Sequence, residues 1–292
     1  MSLNEIINNK MDIINNALDA YLAPKYPEII YDAMAYSVGA GGKRLRPILL
    51  IGACEAVGGS IEDALPFACA IEMIHTYSLI HDDLPAMDND DLRRGKPTCH
   101  KKFDEGLAIL AGDGLLTYAF QIMLNTLVSK NDMKYAYASE VIAKYSGMSG
   151  MLVGQVVDIK SEGKEIDNET LTYIHDNKTG GLIKASLLAG AIIGGASEDV
   201  INELAKVGYN IGMAFQIKDD ILDITSTIDV LGKPVFSDEK NDKYTYVTIH
   251  GLEKAQEDCE RFTKEAMSII KGLGERGEFL YNYVEGLINR KK

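Results

Sequence analysis

Apolar residues recur at helical spacing along most of the chain. In residues 3–21, Ile6, Ile7, Ile13, Ile14 and Leu18 are separated by polar residues, a pattern that indicates an amphipathic helix. Convincing strand alternation is absent. The same periodicity predicts helices at 27–38, 47–57, 63–83, 103–128, 132–148, 150–160, 168–184, 186–195, 198–225, 252–272 and 275–290.

The longest stretch without a helical pattern is 228–248, which is polar and rich in Asp, Lys and Pro. A loop of that length is usually functional or disordered. The other breaks are short, and no Ser/Pro-rich linker or internal repeat suggests two domains. We therefore expect residues 1–292 to form a single all-α domain, an antiparallel helical bundle with a central active-site cavity.

Composition narrows the class of protein. Of the 292 residues, 46% are apolar, which is ample for a hydrophobic core. The net charge of −13 argues against nucleic acid or an anionic membrane as a partner. The four cysteines form no metal-type or disulfide-type spacing. The N-terminus lacks signal-peptide features, and the most apolar stretch, 185–196, is too short to span a bilayer. We expect a cytoplasmic protein without stable membrane association.

The densest charge pattern lies at 82–96. Asp82, Asp83 and Asp88 are followed closely by the basic residues Arg93 and Arg94. Neighbouring carboxylates repel one another and raise each other's pKa unless a cation intervenes. Mg²⁺ is commonly held by one or two carboxylates plus substrate phosphates, so the pattern predicts a metal–phosphate site.

A second acidic cluster comprises Asp219, Asp220 and Asp223. On a helix these positions lie within an arc of about 100° and a rise of about 6 Å, so their side chains share a face. A solvated helix face would explain such a trio, but the neighbouring residues are mostly apolar. Carboxylates in apolar surroundings need a metal or a basic partner, and the metal interpretation is therefore favoured.

Three motifs carry a family resemblance. The sequences DDLPAMD (82–88) with RRGKPT (93–98), DDILD (219–223) and GGKRLRP (41–47) resemble the signatures of the trans-isoprenyl diphosphate synthases, in the right order and spacing. The match is close to short-chain members of the bacterial farnesyl diphosphate synthase (geranyltranstransferase) type and extends over nearly the whole chain. It implies an isoprenoid synthase fold, a homodimer, and three Mg²⁺ ions bound with substrate diphosphate.

The resemblance also implies residue roles. The metal ligands are Asp82, Asp83, Asp88, Asp219, Asp220 and Asp223. The allylic diphosphate is contacted by Arg93, Lys178, Thr179, Gln216 and Lys233, with Lys243 in the loop after the second motif. The diphosphate of isopentenyl diphosphate is bound without metal by Lys43, Arg46, His75 and Arg94. Gln155 and Asp158 match positions near the cavity without an assigned role. Phe236 departs from a glycine found in many members, which affects closure of that loop.

The implied reaction is Mg²⁺-dependent head-to-tail (1'-4) condensation of isopentenyl diphosphate with dimethylallyl or geranyl diphosphate. Tyr77 lies about 7.5 Å and Ser78 about 6 Å before Asp82 along a helix axis, and a bulky Tyr77 would form a floor that favours a C15 product. Because the rotation of the helix is unknown, Tyr77 could instead pack in the core. His81 matches no family ligand and is interpreted as an ordinary, partly buried histidine.

Three other functions are compatible with parts of the pattern. A geranylgeranyl diphosphate synthase (C20) shares nearly the same motifs but has a smaller residue at position 77. A metal-dependent phosphohydrolase would use the His81–Asp82 pair, but the chain has no second His–Asp pair. A silent subunit of a hetero-oligomeric synthase tends to lose its aspartates, whereas this chain keeps both clusters.

Overall fold

The computed structural model describes residues 1–225 and 244–288, and this part of the chain is almost entirely helical. In chain order the α-helices are α1 (Leu3–Tyr21), α2 (Glu28–Val38), α3 (Leu45–Ala56), α4 (Ile61–Asp82), α5 (Cys99–Lys102), α6 (Glu105–Lys130), α7 (Met133–Ser146), α8 (Met151–Ser161), α9 (Asn168–Ile174), α10 (Gly180–Ile193), α11 (Glu198–Thr225), α12 (Tyr246–His250), α13 (Leu252–Lys271) and α14 (Glu278–Ile288). A π-helical turn, His175–Thr179, joins α9 to α10, and a 3₁₀ turn, Gly274–Gly277, precedes α14. The all-α prediction is confirmed.

Helix α10 lies at the centre of the bundle. Its residues are apolar or small except for Lys184 and Ser186, so nearly all of its surface is suited to burial. It packs against α3, α4, α7 and α11. Glycines permit the close approach: a Cβ at Gly190 would overlap the carbonyl oxygen of Leu50 on α3, and a Cβ at Gly212 on α11 would stand 2.7 Å from the Cα of Gly180.

Helices α4 and α6 form an antiparallel pair. Near the end of α6, Lys130 Nζ lies 3.1 Å from Asp63 Oδ1 at the start of α4. At the opposite end, His81 Nε2 lies 3.1 Å from the carbonyl oxygen of Ile109. Within the described residues, α6 is the one helix long and apolar enough to cross a membrane by length and composition, a test that core helices of soluble proteins also pass.

Several predicted boundaries are wrong. The break predicted at residue 185 is absent, because the Ser186 hydroxyl donates to the carbonyl oxygen of Leu182 at 2.8 Å and stays inside α10. The helix predicted from 103 begins instead at Glu105, where the Asp104 side chain caps it by accepting from the Leu107 N–H at 2.7 Å. Residues 246–248, predicted as irregular, belong to α12.

A short hairpin interrupts the helices after α4, where the periodicity predicts no strand. Strands β1 (Leu92–Arg93) and β2 (Lys96–Pro97) pair antiparallel. The two turn residues, Arg94 and Gly95, have φ angles of 54° and 75°, as a tight two-residue hairpin turn requires. The hairpin fixes the positions of two arginines beside the end of α4.

Candidate active site

The first aspartate motif begins where α4 ends. Asp82 is the last residue of α4, and the chain then folds back so that the Asp88 N–H donates to the carbonyl oxygen of Asp82 at 2.9 Å. The carboxamide of Gln155 on α8 donates to Asp82 Oδ1 at 3.0 Å. Burial raises the pKa of Asp82 to about 6, opposed by Lys178 and reinforced by Asp88. The raised pKa of Asp82 therefore reflects mainly the loss of solvation on burial, which the positive charge of Lys178 offsets only in part.

Asp83 and Arg93 form a tight ion pair. The Arg93 guanidinium on β1 donates through Nε and Nη2 to the Asp83 carboxylate at 2.5–2.9 Å. Asp83 is buried, and burial raises its pKa although the Arg93 hydrogen bonds oppose the shift. The hairpin thus presents a cation directly beside the first aspartate motif.

A cavity of about 440 Å³, which we call the tail cavity, extends from Asp82 between α4 and α8. Its lining is Arg46, His75, Tyr77, Ser78, Leu79, His81, Asp82, Met87, Met151, Leu152, Gln155, Val156, Ile159, Lys178 and Thr179. Tyr77 and Asp82 therefore face the same space. Tyr77 is buried, so it packs with the hydrophobic core and also forms part of the cavity wall.

The π-helical turn carries Lys178 and Thr179 to the edge of the tail cavity. A Cβ at Gly154 on α8 would overlap the Lys178 backbone nitrogen, so glycine is needed for the turn to approach α8 this closely. Lys178 Nζ donates to Asp158 Oδ2 at 2.5 Å, and the Thr179 hydroxyl donates to Gln216 Oε1 at 2.9 Å.

The second aspartate motif lies near the C-terminal end of α11, on the other side of this turn. Asp220 accepts from the Tyr246 N–H at 2.8 Å and lies with Gln216 on a cavity of about 140 Å³. Lys178 and Thr179 line both this cavity and the tail cavity. The two aspartate segments therefore open on adjoining cavities that share two side chains. On the same helix Asp223 is buried and Asp219 is half-buried.

Basic residues line the tail cavity and a smaller cavity next to it. His75 lines the tail cavity together with Arg46, and also a smaller cavity together with Arg93 and Arg94. Burial lowers the pKa of Arg46 to about 10. Burial and the guanidinium groups of Arg46 and Arg94 hold the pKa of His75 well below its usual value, so its ring is neutral near pH 7. Lys43 is exposed and is not among the residues that line these cavities.

Comparison with known proteins gives a consistent identification. Residues 27–278 match the polyprenyl synthetase family model. The chain belongs to the polyprenyl synthetase family. As a member, it is a prenyltransferase that joins isopentenyl diphosphate to an allylic diphosphate.

Relatives in the polyprenyl synthetase family differ in their named product. The chain is 48% identical over 264 residues to a farnesyl diphosphate synthase of Geobacillus stearothermophilus. The alignment covers 88% of this chain and 87% of the relative. The chain is 49% identical over 271 residues to the large subunit 1 of a heterodimeric geranylgeranyl pyrophosphate synthase of Arabidopsis thaliana, covering 91% of this chain and 73% of the relative.

The fold of solved relatives agrees with the predicted isoprenoid synthase fold. A geranyltransferase of Helicobacter pylori, solved with magnesium and isoprenyl diphosphate, superimposes with a TM-score of 0.84 at 31% identity, covering 99% of this chain and 97% of that one.

The polyprenyl synthetase site also contains residues to which the sequence assigned no role. Gln155 holds Asp82, and Asp158 holds Lys178. His175, buried beside the second motif, lies 3.9 Å from Asp220 Oδ2. Gly154, the glycine of GQVVD, indicates close packing. The hydrogen-bond partners of Gln155 and Asp158 can be identified only from the structure. Lys233, Lys243 and Phe236 lie outside the described residues.

The donor set suits magnesium bound with a substrate. Among the described residues, no three His, Cys, Asp or Glu side chains converge into a group that would hold a metal alone. Mg²⁺ usually takes one or two carboxylates and completes its shell with water and phosphate oxygens. A site with carboxylate oxygens on two walls, open to a diphosphate, fits that requirement.

Proposed function

We propose that this prenyltransferase catalyses the Mg²⁺-dependent 1'-4 condensation of isopentenyl diphosphate with dimethylallyl or geranyl diphosphate and releases farnesyl diphosphate (C15). The single observation that carries the proposal is that Asp82 and Tyr77 line one cavity. An allylic diphosphate held at Asp82 would direct its apolar tail toward Tyr77. The bulk of Tyr77 then limits the length of the product.

The aspartates of both motifs would hold Mg²⁺ against the allylic diphosphate: Asp82, Asp83 and Asp88 from one wall and Asp219, Asp220 and Asp223 from the other. The resemblance implies three ions. When bound, Mg²⁺ supplies Lewis-acid stabilisation of the negative charge on the leaving diphosphate. Lys178 and Thr179, which line both cavities, and Gln216, which lines the smaller one, support this arrangement. They would supply a cation and polar groups where negative charge increases on the leaving diphosphate.

The second diphosphate would bind in the basic pocket. Arg46 Nε is buried without a hydrogen-bond partner, and an anion would supply one. Arg46, His75 and Arg94 come from three different elements. The guanidinium groups of Arg46 and Arg94 suit paired phosphate oxygens, and the His75 imidazole can donate one further hydrogen bond. Arg93 donates hydrogen bonds to the neighbouring Asp83 and would contact the allylic diphosphate.

The reaction breaks the allylic C–O bond, and the diphosphate leaves with its electron pair. The double bond of isopentenyl diphosphate attacks the resulting allylic cation, and a proton passes to the released diphosphate. The apolar wall formed by Leu79, Met151, Leu152, Val156 and Ile159 keeps water from the cation.

Replacing Tyr77 with alanine is expected to shift the product from C15 toward C20. Purified wild-type protein, incubated with Mg²⁺, isopentenyl diphosphate and geranyl diphosphate, should give farnesyl diphosphate, and product chain length is the readout. Tyr283→Ala is a matched control because Tyr283 is about equally buried but is not among the residues that line the tail cavity. A wild-type product of mainly C20 would favour the geranylgeranyl alternative, and an unchanged product from Tyr77→Ala would remove Tyr77 from this role.

The proposal includes a cytoplasmic homodimer in which residues 1–292 form one domain. Exposed apolar side chains on neighbouring helices support the dimer: Ile109, Leu110, Leu124 and Val128 on α6, and Met133 and Tyr137 on α7. A surface with that many apolar side chains is typical of an interface. Light scattering on the purified chain tests this part, and a mass of 32.0 kDa would contradict it.

A further inference from the structure

His81 contacts the residue that closes the tail cavity. Tyr77 and His81 are four positions apart on α4, so their side chains lie on the same face. Their rings meet edge to face, with centroids 5.7 Å apart and an interplanar angle of 78°. Both side chains line the tail cavity. The floor of this cavity is therefore formed by two rings, of which only Tyr77 has a role in the proposed function.

Helix α6 holds the His81 ring from the other side. His81 Nε2 lies 3.1 Å from the carbonyl oxygen of Ile109. Because a carbonyl oxygen can only accept, Nε2 carries the proton and donates. This bond fixes the ring plane, and the side chain, 28% exposed, is held between α6 and Tyr77.

Gly112 provides the space that the His81 ring occupies. A Cβ at Gly112 would overlap Nε2 and would stand 2.5 Å from Cδ2 and 2.8 Å from Cε1 of His81. A Cβ does not approach non-bonded atoms this closely, so any side chain at position 112 must displace the ring. The absence of a side chain at 112 thus decides where His81 lies.

We propose that His81 is a positioning residue that sets product length by holding Tyr77 across the tail cavity, and that Gly112 and the Ile109 carbonyl on α6 fix His81 for this purpose. The inference rests on the proposed function, since it assumes that Tyr77 is the floor. Without the imidazole ring, Tyr77 gains rotational freedom and the cavity deepens.

Four variants test the proposal by the ratio of C20 to C15 product at low conversion. His81→Ala is expected to raise this ratio about two- to tenfold, the range that corresponds to loss of an aromatic ring pair. Gly112→Ala should raise it in the same direction by displacing the ring. In the double variant, Gly112→Ala should add nothing to His81→Ala. Gly106→Ala, on the same helix, should keep the wild-type ratio because its Cβ would meet only Asp104 Oδ1 at 3.4 Å.

A residue that merely supports the fold would lower the melting temperature and total turnover without moving the product ratio. The proposal is overturned if His81→Ala keeps the wild-type ratio, or if Gly112→Ala changes the ratio equally with and without His81. Should His81→Ala not fold, as judged by circular dichroism, the comparison of Gly112→Ala with Gly106→Ala decides alone. If Tyr77→Ala lengthens the product and these variants do not, this inference fails while the proposed function stands.

Discussion

Replacing Asp82 with alanine is expected to lower turnover by about 100- to 1,000-fold, the loss typical when one preorganised electrostatic contact to the reacting charge is removed. Asp82 ends α4, faces the tail cavity and is held by the Gln155 carboxamide. Burial raises the pKa of Asp82 to about 6, and a bound Mg²⁺ would oppose this shift because a nearby positive charge favours the ionised carboxylate. Steady-state turnover at saturating substrate and Mg²⁺ measures the effect.

The matched control for this substitution is Asp91→Ala. Asp91 belongs to the same acidic stretch but is exposed and pairs with Lys101 at 2.8 Å, so its loss should leave turnover close to that of the wild type. If Asp82→Ala retained turnover within about tenfold of wild type, less than about 1.4 kcal/mol of barrier, its assignment as a metal ligand would be wrong.

Replacing Glu72 with alanine is expected to lower the free energy of unfolding by about 3–5 kcal/mol, because it leaves a buried charge without its partner. Arg44 and Glu72 form an ion pair at 2.9 Å, with side chains 6% and 4% exposed. Arg44 also donates to Asn15 Oδ1 and to the carbonyl oxygen of Val38, each at 2.9 Å. Removal of Glu72 would leave the guanidinium with neutral acceptors. Urea denaturation followed by circular dichroism measures the change.

Glu260→Ala provides the comparison for an exposed pair. Glu260 pairs with Lys264 at 3.1 Å, but the two side chains are 72% and 77% exposed. Exposed pairs contribute about 0–1 kcal/mol. A loss from Glu72→Ala no larger than that from Glu260→Ala would contradict the structural role that we assign to the Arg44–Glu72 pair.

The helices were largely predictable from the sequence because each buries an apolar face at helical spacing. The hairpin was not, since strands of two residues are too short to show alternation. The π-helical turn was not predictable either. It depends on the close approach of Lys178 to Gly154, which no local pattern encodes.

The candidate site was predictable in its residue types but not in their orientation. The spacing of Tyr77 and Asp82 placed both on one helix, yet only packing determined that both line the tail cavity. Of two nearby arginines, Arg44 pairs with Glu72 in the core, whereas Arg46 lines the tail cavity. Helical periodicity does not predict which of the two side chains enters the core. His81 is interpreted from the sequence as an ordinary, partly buried histidine, because its hydrogen-bond partner, the Ile109 carbonyl, comes from the distant helix α6.

The most direct test of the central claim is a crystal structure with Mn²⁺ and an unreactive allylic diphosphate analogue, analysed by anomalous scattering. We expect manganese ions that join one diphosphate to Asp82 and Asp88 on one side and to aspartates of the 219–223 segment on the other. Ions confined to one aspartate segment, or a diphosphate bound away from Lys178 and Thr179, would contradict it.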